Sequence, residues 1–164
     1  MKLATFRTAK GIRIGLADGD ELRDISDIVA DITGGLPDME RLIRHAGEVL
    51  PALAQACGDV VDSDAVEWLA PVPHPGKICG VAMNNSASNE RKISAPDHPA
   101  FFLKPASCLV GHGQAIRIRS YYGSVHPEPE LAVVIGTTMR DVDAAAALDY
   151  VFGYTILNDI TGNG

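Results

Sequence analysis

The sequence predicts an α+β protein in two parts: a small N-terminal α+β domain over residues 1–70 and a mainly β part over residues 71–164. Three observations predict it. Two short strand patterns open the chain around a turn, an amphipathic helical stripe follows them, and beyond Ala70 strand patterns crowd together with a single helix among them. With 46% apolar residues in 164, the chain can bury a core of its own.

Lys2 to Arg7 and Ile12 to Leu16 read as strands joined through Ala9-Lys10-Gly11, and Asp18-Gly19-Asp20 marks the next reversal. After Gly34-Gly35 and Pro37, Asp38 is a cap for a helix whose Met39, Leu42, Ile43, Ala46 and Leu50 share one stripe. Pro51 is expected to kink or restart it, a second helix through Leu53 to Cys57 to end at Gly58, and the proline-bearing stretch from Asp62 to Pro75 to connect the two parts. The strands expected beyond it are Lys77 to Ala82, Ala100 to Lys104, Ala115 to Ile118, Glu130 to Ile135 and Tyr154 to Asp159. Asp143 is expected to cap the intervening helix and Gly153 to stop it. Asn84 to His98 is polar and reads as a mobile surface loop of the kind that serves as a lid.

Charge and composition remove several classes of function. A formal charge of -7 arises from acidic residues spread along the chain, and no Lys/Arg cluster is available to neutralise a row of phosphates, so nucleic acid is not an expected partner. No stretch is apolar for long enough to span a bilayer and the N-terminus lacks a secretory apolar run, so the expectation is a cytoplasmic protein with no membrane partner. Cys57, Cys79 and Cys108 are odd in number and have no metal-site spacing, and read as reduced, buried, small apolar residues. Ser107, Ser120 and Ser124 lack the Gly-x-Ser-x-Gly elbow of a serine hydrolase, and Gly111-His112-Gly113 has neither the flanking elements nor the Lys-Ser/Thr of a phosphate loop. Tyr121-Tyr122 reads as a subunit contact or as a covered strand end.

The chemically informative stretch is His126-Pro127-Glu128-Pro129-Glu130, followed by the apolar run Leu131 to Ile135. Residues two apart on a strand point to one face, so Glu128 and Glu130 crowd two like charges at the entrance of a strand that its apolar run marks as buried. A hard cation resolves that conflict, and Pro127 and Pro129, which cannot donate to a ladder, place the entrance at an edge open to substrate. Asp159, at the end of a later strand, is a third candidate carboxylate. Taken alone, Glu-x-Glu is a weak signal that a solvated strand end explains better, and Asp159 alone reads as a turn or cap. His126 reads as a solvent-facing turn residue or as a partner of Glu128.

The ordered motifs Pro71-Val72-Pro73-His74-Pro75-Gly76-Lys77-Ile78-Cys79-Gly80-Val81, Phe102-Leu103-Lys104-Pro105, Glu128-Pro129-Glu130-Leu131-Ala132-Val133-Val134-Ile135-Gly136 and Gly153-Tyr154-Thr155-Ile156-Leu157-Asn158-Asp159 together resemble the fumarylacetoacetate hydrolase family. The resemblance runs from about Pro71 to the last residue, and the opening with Arg13-Ile14-Gly15 looks like that family's small N-terminal domain. It implies a mixed-sheet β-roll in residues 71–164, a homodimer, and Glu128, Glu130 and Asp159 holding Mg²⁺, or Mn²⁺ or Ca²⁺ in its place. It further implies a small 2-oxo or 2,4-dioxo acid as substrate, with Lys104 neutralising its carboxylate; a surface lysine is the competing reading of that residue. The expected reaction is metal-dependent hydrolysis of a C–C bond in an acylpyruvate or fumarylpyruvate type of acid, with isomerisation or decarboxylation through the same enolate as the alternative. A third reading is an inactive fragment or a binding and dimerisation module.

Two departures bear on those expectations. Many family members carry a lid His and Glu after an Asn-Tyr pair, whereas here Asn85 stands at the Tyr position, Ser88 at the His position and Arg91 at the Glu position, with Glu90 beside it. None is a convincing base, so the catalytic base is unassigned. The sequence also stops at Gly164, where family members continue, so the resemblance implies a roll cut short at its C-terminal end.

Overall fold

The computed structural model describes residues 1–55, 58–84 and 98–162. They fall into two compact units, one of Met1–Pro71 with Val110–Gly164 and one of Val72–Leu109.

In the first unit, strands β1 (Lys2–Thr8) and β2 (Gly11–Asp18) form the expected hairpin, longer by a residue or two at its ends. Gly11 closes its turn at φ 102°, a backbone setting that side chains resist. Strand β3 (Glu21–Asp24) continues the meander, β4 (Asp59–Val61) pairs with β3, and β5 (Glu67–Trp68) covers the far edge of β1, giving the order β4-β3-β2-β1-β5. The last two strands lie outside the predicted set; each has two or three residues, too few for an alternating pattern to show, and β5 sits inside the segment expected to be a plain connector.

Helix α1 (Ser26–Thr33) also lies outside the predicted set. Its flanking residue Ile25 supplies no capping side chain, and four of its eight residues are β-branched, so the local signals for a helix are poor. Tertiary bonds supply what propensity does not. The Ser26 hydroxyl accepts the Ile14 N–H at 2.8 Å, the Asp24 carboxylate accepts the Ser26 N–H at 2.9 Å, and Arg13 donates to Asp24 at 2.7 Å and to Asp27 at 2.8 Å. Strand β2 and the start of α1 are thereby pinned together by one polar cluster, buried at Ser26, part-buried at Arg13 and Asp24 and open to solvent at Asp27.

Asp38 caps α2 (Met39–Arg44) as expected, its carboxylate accepting the Arg41 N–H at 2.5 Å. The expected continuous helix breaks instead at His45, and α3 (Ala46–Leu53) carries Pro51 inside it, so the proline interrupts one i→i−4 bond without restarting the helix. Residues 56 and 57, including Cys57, lie outside the described set, and the second helix ends at Leu53, where a start was expected. Phe6, Ile14, Leu22, Ile25, Val29, Met39, Leu42, Ile43, Val49 and Leu53 are the buried apolar side chains among the described residues, all from the first third of the chain.

The second unit is an antiparallel pair, β6 (Ile78–Ala82) against β7 (Ala100–Lys104), matching the predicted strands to within a residue. Gly80 faces Phe102 across the pair, and a Cβ there would come within 2.1 Å of the ring, so the ring lies over the bare backbone. The expected lid, with Asn85, Ser88, Glu90 and Arg91, lies outside the described residues apart from its ends. Cys79 and Cys108 are exposed free thiols, which corrects the expectation that they are buried.

Two further expectations change. Ala115 to Ile118 forms no strand: it has no ladder partner, and Ile116 and Ile118 are exposed. The alanine run forms a short 3-10 helix (Ala144–Tyr150) with no side-chain bond from Asp143, and Gly153 lies within the following strand rather than stopping the helix.

Partial burial pushes the Asp24 carboxyl up, yet the hydrogen bonds from Ser26 and Arg13 outweigh it and hold the group below its ordinary value. A carboxylate depressed in the fold contributes stability that is present above its unfolded pKa and is lost as pH falls through the folded one. Asp24→Asn is therefore expected to destabilise the protein by about 2 kcal/mol at pH 7, since it leaves Arg13 and Ser26 poorly paired. Thermal melts should show the two proteins converging below about pH 4; a gap that persists in acid would disprove the linkage.

Candidate functional site

The candidate carboxylates sit on a two-stranded ribbon in the first unit. Strand β9 (Pro129–Ile135) pairs antiparallel with β10 (Val151–Asn158), and β8 (Val125–His126) pairs with β11 (Thr161–Gly162). Between these ladders Glu128 and Asp159 exchange both backbone bonds, at 3.2 and 2.8 Å. The register runs unbroken from Val125 opposite Gly162 to Val134 opposite Gly153, so Pro127 falls opposite Ile160. An irregularity follows between Gly153 and Val151.

In an antiparallel ladder, pairs that exchange hydrogen bonds alternate with pairs that do not. Glu128 with Asp159 is an exchanging pair, so Pro127 and Pro129 occupy the intervening positions, where an N–H would point away from the partner strand. Both prolines thus fit without costing this ladder a bond, and both blunt its outer edge.

Directly opposed residues share a face, and so do residues two apart. One face of the ribbon therefore carries His126, Glu128 and Glu130 from one strand, with Thr161, Asp159 and Leu157 opposite them. All three predicted carboxylates are on it. Asp159 is 8% exposed, the Glu128 side chain is about one-third exposed, and Glu130 is exposed. The Glu128 carboxylate accepts a hydrogen bond from the Thr161 hydroxyl at 2.9 Å and lies 3.3 Å from Nε2 of His126. The same Thr161 hydroxyl is 3.4 Å from the Asp159 carbonyl oxygen.

The opposite face corrects one expectation. The run Leu131 to Ile135 predicts a fully buried strand, but Leu131, Val133 and Ile135 are exposed and so are Tyr154 and Ile156 across from them. An apolar run marks what a strand can bury; covering it takes a second layer, and no described residue leaves these side chains buried.

The donor set suits a hard divalent cation, since it is all oxygen and lies on one face with one member buried. Convergence is a separate matter: among the described residues no three His, Cys, Asp or Glu side chains form a group that would hold a metal ion. Lys104 ends β7 in the other unit, opposite Ile78. Thr161 was not singled out by sequence reasoning, although its place two residues after Asp159 on a strand is the signal that puts it on the acidic face.

A sequence profile described as fumarylacetoacetate (FAA) hydrolase C-terminal matches residues 77–163. Maleylpyruvate hydrolase of Aquipseudomonas alcaligenes is 32% identical over 183 residues, an alignment that covers 100% of this chain and 62% of that protein. The mitochondrial oxaloacetate tautomerase of Xenopus laevis is 31% identical over 171 residues, covering 98% of this chain and 52% of that one. Among solved structures, maleylpyruvate hydrolase from Sphingobium sp. SYK-6 superposes with a TM-score of 0.77 at 32% identity, over 100% of this chain and 60% of its own. A second structure of that enzyme holds manganese(II) and pyruvate and superposes with a TM-score of 0.72. The chain thus spans between half and two-thirds of the length of these relatives. No described helix is long and apolar enough to cross a membrane.

The ladder itself is testable by amide hydrogen exchange. The Glu128 and Asp159 amides bond each other's carbonyls, so both are expected to exchange roughly ten-fold or more slowly than they would in an unfolded chain. Free-chain exchange rates at both positions would break the register on which the shared acidic face depends.

Proposed function

Because the chain belongs to the fumarylacetoacetate hydrolase family, we propose that the acidic face of the ribbon binds a divalent cation, Mg²⁺ or, in its place, Mn²⁺ or Ca²⁺, through Glu128, Glu130 and Asp159. The proposed reaction is hydrolysis of a C–C bond in a small 2,4-dioxo acid of the acylpyruvate type. The observation that carries this reading is the single register that sets the three carboxylates on one face. The manganese and pyruvate in the related maleylpyruvate hydrolase support the same pairing of metal and acid.

When bound, the cation supplies a Lewis acid that stabilises the enolate formed as the C–C bond breaks. The chain's own residues have distinct tasks. Asp159 is the largely buried member of the set, while exposed Glu130 lies on the open side of the site. Glu128 lies directly across the ladder from Asp159, its carboxylate bonded by Thr161 and close to His126. Lys104 is assigned the substrate carboxylate as a point-charge partner. The domain division at residue 70 and a homodimer belong to the same proposal, the latter supported by the exposed apolar face of the ribbon.

Isomerisation is the second reading, favoured by the likeness to an oxaloacetate tautomerase and by Ser88 in place of a lid His. It requires enolate stabilisation and proton transfer without an activated water.

Calorimetric titration of Mg²⁺ into the protein, with and without oxalate as an enolate mimic, tests the site. Binding that oxalate strengthens, and that Glu128→Gln weakens at least about ten-fold, is the expected result. No binding by the unsubstituted protein would defeat the metal reading. Acylpyruvate turnover followed by NMR then separates the reactions: new carboxylic acid and pyruvate signals mean hydrolysis, keto-enol exchange alone means tautomerisation, and metal and oxalate binding without either means a binding module.

A further inference from the structure

We propose that Thr161 is a positioning residue for Glu128, fixing the orientation in which that carboxylate meets a divalent cation; this rests on the metal-site reading above. Thr161 lies directly opposite His126 in the register and diagonal to Glu128, a separation that a glutamate side chain spans and a shorter carboxylate does not. Its hydroxyl has one proton to donate, and the 2.9 Å contact to Oε2 of Glu128 is the better acceptor geometry than the 3.4 Å contact to the Asp159 carbonyl. The bond is charge-assisted and partly buried, which makes it one of the stronger kinds a hydroxyl can form.

The branched side chain reinforces the bond. A threonine is β-branched, so its χ1 is stiff on a strand, and a hydroxyl held in one rotamer holds its acceptor in one place. The Asp159 carbonyl, 3.4 Å from the same hydroxyl, is too distant to compete for its proton. Thr161 therefore ties the flexible Glu128 across the ladder to the strand that carries Asp159. A carboxylate oxygen accepts more than one bond, so the hydroxyl does not use up the coordinating capacity of Glu128. Groups that bond a metal ligand in this way restrict its orientation and raise affinity without touching the metal.

The test is Mn²⁺ binding to the whole protein, read from the free-ion signal by electron paramagnetic resonance, for the unsubstituted protein, Thr161→Val, Thr161→Ser and Glu128→Gln. Valine keeps the branched shape and removes the hydroxyl; serine keeps the hydroxyl and loses the branch. The expected result is a loss of affinity of about 10–100-fold for Thr161→Val, with Thr161→Ser within a few-fold of the unsubstituted protein. Unchanged or tighter binding by Thr161→Val, beside a clear loss in Glu128→Gln, overturns the positioning role while leaving the metal site standing. A loss in Thr161→Val that tracks a lowered metal-free melting temperature, and that serine does not rescue, assigns Thr161 to the ladder alone and also overturns it. Absence of Mn²⁺ binding by the unsubstituted protein defeats the site reading and this inference with it.

Discussion

Two carboxylates two residues apart on a strand share a face only while the strand stays extended, and a third joins them only if the partner strand is in the right register. Here the exchange of backbone bonds between Glu128 and Asp159 sets that register. A slip of one residue would turn Asp159 to the face of Leu131 and Val133, bury no carboxylate beside Glu128, and bring Ile160 or Asn158 in its place. Everything assigned to the site, including the reach of the Thr161 hydroxyl, is downstream of that pairing. The prolines serve the same end. They sit where the ladder needs no donor, and they deny the outer edge to a competing strand that could pull the register elsewhere.

The distribution of buried surface explains why the two halves of the chain behave differently in the fold. Buried apolar side chains come from the first third of the sequence, where α1 packs on β2 of the five-stranded sheet and against α2 and α3, and the Arg13-Asp24-Ser26 cluster locks strand to helix. Beyond residue 80 the large apolar side chains are mostly exposed, from Phe101 and Leu103 to Leu131, Tyr154 and Ile156. The apolar residues of the two halves differ less in kind than in whether a second layer meets them.

Sequence reading was strongest where a pattern is long or a residue type has one use. The opening hairpin, the Asp38 cap and the strands β6, β7, β9 and β10 were all legible, because alternation or capping chemistry repeats over enough residues to be distinctive, whereas the pairing of β9 with β10 was not. Helix α1 was not, because its stability comes from Ser26 and Asp24 bonding across to β2 rather than from its own residues. The strand at Ala115 to Ile118 was overread, since alternating Ile residues signal a strand only when a partner exists. The acidic face was half legible: Glu128 and Glu130 follow from spacing alone, Asp159 needed the family resemblance, and Thr161 needed the register.

A two-stranded ribbon with one uncovered apolar face is marginal by itself, and an acidic face adds repulsion between strands that the ladder must absorb. Glu128 and Glu130 come from one strand and Asp159 from the other, so a cation bound to all three would cross-link the ribbon in the same act that neutralises it. Binding energy and ladder stability are then one quantity, because any ligand that favours the paired state over the frayed one stabilises it by mass action. On the proposed metal-site reading, the same three carboxylates would serve both the chemistry and the ladder, which gives a physical reason for repelling groups to be placed in register at all.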